Sequence, residues 1–156
     1  MKKHIEAVDL KLIHWFQKWY KPLARGSLFV VYFWFGLLKV LGLSPATPLA
    51  EALTLRTVGA QWFDPLYLTL AVIECIIGLL FLFPKLTRLA IAIMVAHMVL
   101  VCSPLILLPD MVWIHPFVPS LEGQYIIKNI VLVAVAISIA STVQPLEKRK
   151  ARSGVA

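Results

Sequence analysis

Charge is scarce in this chain: Asp and Glu together number 8 in 156 residues, and all charged residues make up 15%. A soluble domain carries about a quarter charged residues and is nearer half apolar. Here 60% of the residues are hydrophobic and the mean hydropathy is +0.85. A core cannot absorb that excess, because a small soluble domain must also cover its own surface. The shortage of charge excludes a soluble domain and makes a bilayer the natural solvent. The length allows one compact bundle with no second domain.

Other absences narrow the function. There are only two cysteines, Cys75 and Cys102, both inside apolar runs and without a CxxC spacing. They supply neither a disulfide framework nor a metal motif. As small buried apolar residues they need no further role, although their depths would permit a bridge between the second and third spans. A Walker loop, a dinucleotide fingerprint and a zinc-protease motif are all missing, as are internal repeats and low-complexity stretches. Residues 1–25 carry charges throughout and lack a continuous apolar region, so they do not read as a signal peptide. The net charge of +7 would suit nucleic acid, but its placement beside apolar runs excludes that partner.

What is present is four long apolar runs, at 27–43, 66–83, 89–108 and 125–143. Each has about the 17–25 residues that cross a hydrocarbon core of roughly 30 Å. Prolines punctuate the joins, and Pro104 is expected to bend the third run. The expected fold is all-α: a four-helix transmembrane bundle over 26–143, with a cytoplasmic amphipathic arm at 1–25 and a basic cytoplasmic tail at 144–156. Lys and Arg in the arm, the second connection and the tail number twelve, against Arg56 alone in the other two connections. That asymmetry predicts both termini inside, in a cell (inner) membrane.

In the arm, Ile5, Val8, Leu12, Trp15 and Trp19 recur at spacings of three and four, with Lys11, Lys18 and Lys21 off that stripe. This pattern predicts an interfacial helix on the anionic inner leaflet, or a soluble arm docked on a partner. A short helix is expected in the first outer connection, with Thr47 as N-cap, Pro48 at the first helical position and Gly59 as stop.

Ionisable groups inside hydrocarbon are costly and are default site candidates. The spans contain Lys39, Glu74, His97 and Lys128, with Asn129 as an uncharged amide. Glu122 stands at the outer mouth, in the first turn of a helix that Ser120 would cap. At about 1.5 Å per residue, Lys39 and Lys128 lie within roughly 6–10 Å of the outer surface, with Glu74 and His97 deeper. One reading is a structural ion-pair cluster joining helices one, two and four, with the lysines snorkelling. The other is an outward-facing pocket for an anion or a polarised carbonyl, such as a quinone oxygen. For His97 the alternatives are a hydrogen bond to a neighbour, proton transfer to a redox ligand, or haem or metal ligation. The aromatic run Phe29, Tyr32, Phe33, Trp34, Phe35 suits lipid contact and packing.

The segment Leu108-Pro109-Asp110 through Trp113 to Ser120-Leu121-Glu122-Gly123-Gln124-Tyr125-Ile126-Ile127-Lys128-Asn129 resembles DoxX-like membrane proteins. Phe35-Gly36-Leu37-Leu38-Lys39 is similar to the glycine-and-lysine signature of that group, and Glu74 and His97 fit it too. The resemblance covers about residues 25–143. It implies a compact four-helix membrane bundle, in a family that includes a subunit of an archaeal thiosulfate:quinone oxidoreductase and proteins linked to oxidative stress. The family is also similar in architecture to the vitamin K epoxide reductase bundle, but without CxxC a thiol relay is not expected here.

Two functions fit these residues. In the first, the chain is a redox-associated subunit holding a quinone-like ligand, with Lys39 and Lys128 polarising its oxygens, Glu74 and His97 handling protons, and other redox subunits as partners. In the second, it is a non-catalytic scaffold or assembly factor for a redox or stress-response complex. A small-solute transporter is a weaker third, because no inverted repeat is evident.

Overall fold

The computed structural model describes residues 2–143; the basic tail expected at 144–156 lies outside the described residues. It is an all-α bundle with four helical segments long and apolar enough to span a membrane, at 4–40, 60–82, 84–107 and 121–140. In hydrocarbon every backbone N–H and C=O must find a partner within the chain, and a helix meets that demand within one segment.

Helix α1 (Lys2–Val40) has 39 residues, about 58 Å at 1.5 Å per residue. The expected arm and first span are thus one helix rather than two, and residues 4–23 are exposed. Pro22 lies inside it and has no N–H to donate to the carbonyl four residues back, yet the helix continues on both sides. Beyond α1, α2 (Thr47–Thr57) packs against the second span and the turn that ends the third, at the end of the bundle where α1 finishes. Its N-cap is Ala46, not Thr47. The Thr47 hydroxyl instead donates to the Ser44 carbonyl at 2.8 Å and meets the Tyr67 hydroxyl at 2.7 Å. Gly59, with φ of 97°, ends this segment as expected.

Helices α3 (Phe63–Leu82) and α4 (Thr87–Cys102) form the next two spans. Past Ser103 the third span continues as the short turn α5 (Pro104–Leu107), so the helix assignment breaks at Ser103, just before the proline where a bend is expected. A second short turn, α6 (Pro109–Val112), leads into a small antiparallel ribbon, β1 (Trp113–His115) with β2 (Val118–Pro119). No alternating apolar pattern in that stretch predicts the ribbon. The fourth span is divided into α7 (Leu121–Ile127) and α8 (Asn129–Ala140), with the junction at Lys128.

Helices α1 and α3 run antiparallel and very close together. A Cβ on Gly36 would lie 2.7 Å from the Ala71 carbonyl oxygen and 2.8 Å from the Cys75 sulfur; one on Gly78 would lie 2.7 Å from the Phe33 backbone nitrogen. Between helices in lipid there is little hydrophobic drive, so small residues that admit backbone contact set the packing. Around this pair the core is completed by Leu28, Ile77, Phe81, Met94, Met98 and Ile139. Trp34, Val99 and Ile130, all more than half exposed, face outward, where lipid is their solvent.

At the end of the bundle where α3 turns into α4, the Arg25 guanidinium fastens α1. It donates to the Phe81 carbonyl at 3.0 Å and to the Thr87 hydroxyl at 2.7 Å. The Thr87 hydroxyl in turn donates to the Pro84 carbonyl at 2.9 Å. We call this the near end, and the end where α2 packs the far end.

Candidate functional site

The polar cluster grows directly from the α1–α3 contact. On α1 the buried stripe is Leu28, Tyr32 and Gly36, continued by partly buried Lys39; on α3 it is Ala71, Glu74, Ile77, Gly78 and Phe81; on α4 it includes Ala90, Met94 and His97. Those spacings of three and four keep each set on one helix face. Side chains also tilt toward the N-terminus of their own helix. Because α1 and α3 are antiparallel, Lys39 is aimed inward along the bundle and Glu74 toward the far end, so they meet.

Lys39 Nζ donates to Glu74 Oε2 in a tight ion pair. The other carboxylate oxygen, Oε1, lies 3.2 Å from His97 Nε2. Glu74 is 6% exposed and His97 7%, so the carboxylate is held by two partners and screened from solvent. An ionised carboxylate can only accept, which assigns a proton to Nε2; in the neutral ring Nδ1 is then the acceptor. Tyr32 stands edge-on to His97, with ring centroids 5.6 Å apart at 67°.

Two buried polar atoms in this cluster have no partner among the described residues: Tyr32 Oη and His97 Nδ1. Buried polar atoms are nearly always paired, and each exception needs an explanation. Here the pair is complementary, one able to donate and the other to accept.

Three of the six candidates named from sequence therefore converge, Lys39, Glu74 and His97, from three helices. The other three do not. Lys128 is exposed and rests over the Tyr125 ring, 4.6 Å from its centroid. Glu122 is exposed and accepts from the Ser120 hydroxyl at 2.9 Å, while Ser120 Oγ caps α7 by accepting from Gly123 N at 3.2 Å. Asn129 is half-buried at the start of α8. Of the ion-pair cluster expected to join helices one, two and four, the structure shows one compact pair, on α1 and α3. The reason is the helix face of Lys128: it keeps helical dihedrals and lies two residues past buried Ile126, about 200° round the helix, on the exposed side.

The Glu122-Gly123 step has a structural duty instead. A Cβ at Gly123 would lie 2.1 Å from the Val112 carbonyl oxygen, so this turn of α7 sits directly on the α6 backbone. Cys75 and Cys102 are free thiols; Cys75 donates to the Phe33 carbonyl at 3.7 Å. A surface groove of about 340 Å³, lined by Arg88, Ile91, Ala92, Ala140 and Val143, lies at the near end, away from the cluster.

Sequence reasoning missed Tyr32, grouping it with the lipid-facing aromatics. The signal that finds it is its spacing of four from Gly36 and seven from Lys39, which places it on the buried stripe. No family model, curated protein or solved structure matches the chain.

Proposed function

We propose that this chain is a DoxX-like, redox-associated subunit of the inner membrane that binds a quinol or quinone beside Tyr32 and His97. The observation that carries this reading is the pair of buried, unpartnered and complementary atoms, Tyr32 Oη and His97 Nδ1, beside a paired carboxylate. A ligand hydroxyl can accept from Tyr32 and donate to Nδ1 at once. An apolar ring carrying such a hydroxyl suits a site set among apolar side chains inside a membrane bundle.

In this reading the roles differ from a simple lysine clamp. Glu74 fixes the His97 tautomer and stabilises the imidazolium formed when Nδ1 takes a proton, the usual arrangement for a general base. Lys39 holds the second carboxylate oxygen, so its charge acts through Glu74 and not on the ligand. Quinol oxidation releases two protons and two electrons; Nδ1 takes the proton of the hydroxyl bonded to it, the second hydroxyl gives its proton to water, and the redox centre of a partner subunit takes the electrons. The same site binds quinone through the Tyr32 hydroxyl.

The orientation belongs to the same proposal: termini inside, with the near end cytoplasmic. Lys85 and Arg88 stand beside the α3–α4 turn at that end, and in the sequence the arm, that connection and the tail carry twelve Lys and Arg against Arg56 alone in the other two connections. Reporter fusions at the C-terminus and in the 113–118 ribbon would check it: activity of a cytoplasmic reporter at the first and an external one at the second is expected, and the reverse would overturn it.

The scaffold reading draws on a different observation, the mutual satisfaction of Lys39 and Glu74, which needs no ligand. The two separate cleanly. Purified protein titrated with a short-chain quinol should show saturable quenching of its tryptophans, and lipid extracted from it should contain quinone. Absence of both would sink the ligand reading and leave the scaffold.

A further inference from the structure

The N-terminal half of α1 presents an apolar face that no other described part of the protein covers. Ile5, Val8, Leu12, Trp15, Phe16, Trp19 and Leu23 are all exposed. At 3.6 residues per turn they fall in an arc of roughly 100° that contains no charged residue. Lys11 and Lys18 stand just outside one edge of that arc and Lys21 is beyond them. Lys18 Nζ sits 5.8 Å from the Trp19 ring centroid, and Lys21 Nζ 5.6 Å from that of Tyr20.

Two features determine where this face can go. Pro22 removes the hydrogen bond to Lys18 and weakens the helix there. Three residues later the Arg25 guanidinium is bonded to the Phe81 carbonyl and the Thr87 hydroxyl, which holds the spanning half of α1 against the α3–α4 turn. Bending is therefore favoured around Pro22, on the N-terminal side of the Arg25 anchor.

We propose that the arm hinges at Pro22 and docks its apolar face on the adjacent leaflet, where its lysines engage anionic lipid headgroups. Charge decides for lipid over a second copy of the chain. The arm's acidic residues, Glu6 and Asp9, are both near its start, so a parallel pairing would set Lys18 and Lys21 against lysines. Anionic headgroups supply the missing negative charge, and tryptophan with lysine is the composition of interfacial helices. This inference does not depend on the quinol reading.

The test uses the full chain with Phe16→Cys in a Cys75→Ala/Cys102→Ala background, labelled with bimane and reconstituted into vesicles. In phosphatidylcholine containing phosphatidylglycerol, a lipid-borne nitroxide should quench the label, and high salt should relieve the quenching. Each lysine near an anionic surface contributes about fivefold to docking, so Lys11→Gln/Lys18→Gln/Lys21→Gln should weaken it roughly 100-fold. Pro22→Ala keeps the charges and restores the helix, and should weaken docking at least ~10-fold through stiffness alone. A label that stays open to acrylamide and dark to the nitroxide would overturn the proposal, as would efficient cross-linking between copies through the unlabelled Phe16→Cys thiol. Docking unchanged by Pro22→Ala would overturn the hinge.

Discussion

Lys39→Met should be among the most damaging single substitutions in the bundle, and more damaging than Glu74→Gln. Removing Lys39 leaves the Glu74 carboxylate, 6% exposed and midway along α3, with only His97 as a partner. Breaking a buried pair from one side costs about 3–5 kcal/mol. The reverse change is gentler. Lys39 is the penultimate residue of α1, so its ammonium can turn toward the far-end surface when Glu74 is neutralised. The amide oxygen that Glu74→Gln introduces still accepts from His97. A cost of about 1–3 kcal/mol follows for Glu74→Gln. The double variant Lys39→Met/Glu74→Gln carries no unpaired charge and should recover most of the loss, giving a coupling energy of about 2 kcal/mol or more. Equilibrium unfolding in bicelles, read by far-UV circular dichroism on all four proteins, measures the cycle. Additive costs, or a Glu74→Gln variant less stable than Lys39→Met, would refute the reasoning.

Other consequences can be checked on the same footing. Gly36→Ala and Gly78→Ala each drive a methyl into backbone across the α1–α3 contact and should cost about 1–3 kcal/mol in the same unfolding assay, with Leu at either site preventing accumulation of folded protein in the membrane. Arg25→Lys loses the forked contact to Phe81 and Thr87 and should cost about 1–2 kcal/mol, visible as faster hydrogen exchange at the α3–α4 turn. Ser120→Ala removes the α7 cap and should lower unfolding stability by about 1 kcal/mol. Lys128→Gln, outside the cluster, should leave both stability and quinol binding within measurement error, unlike any change at Lys39, Glu74 or His97.

The spans were legible because hydrocarbon imposes a length and a composition that few other contexts share; the observed helices fall within a few residues of the apolar runs, apart from the arm fused to the first. Glu74 and His97 were legible for the same reason, as ionisable residues too deep to reach the surface. Lys128 misled because depth alone carries no direction: it lies on the exposed face of its helix, three residues after the Tyr125 ring it covers. Tyr32 was hidden by its neighbours. In a run of aromatics only the stripe shared with Gly36 and Lys39 separates the inward ring from the lipid-facing ones. The continuity of α1 through Pro22 was also unreadable, since a proline at that place is as compatible with a helix end as with a weak point in a longer helix.

The central claim, that Tyr32 and His97 form a ligand site, is tested most directly by Tyr32→Phe measured for stability and binding together. If the unpaired hydroxyl is kept for a ligand, its removal relieves a buried unsatisfied group and should leave the ligand-free protein as stable as before or up to about 1–2 kcal/mol more stable. The same substitution should weaken quinol binding about tenfold or more, which is the loss of one hydrogen bond to the ligand oxygen. Stability and affinity moving in opposite directions is the predicted result. A Tyr32→Phe protein that loses stability while binding quinol as before would contradict the claim.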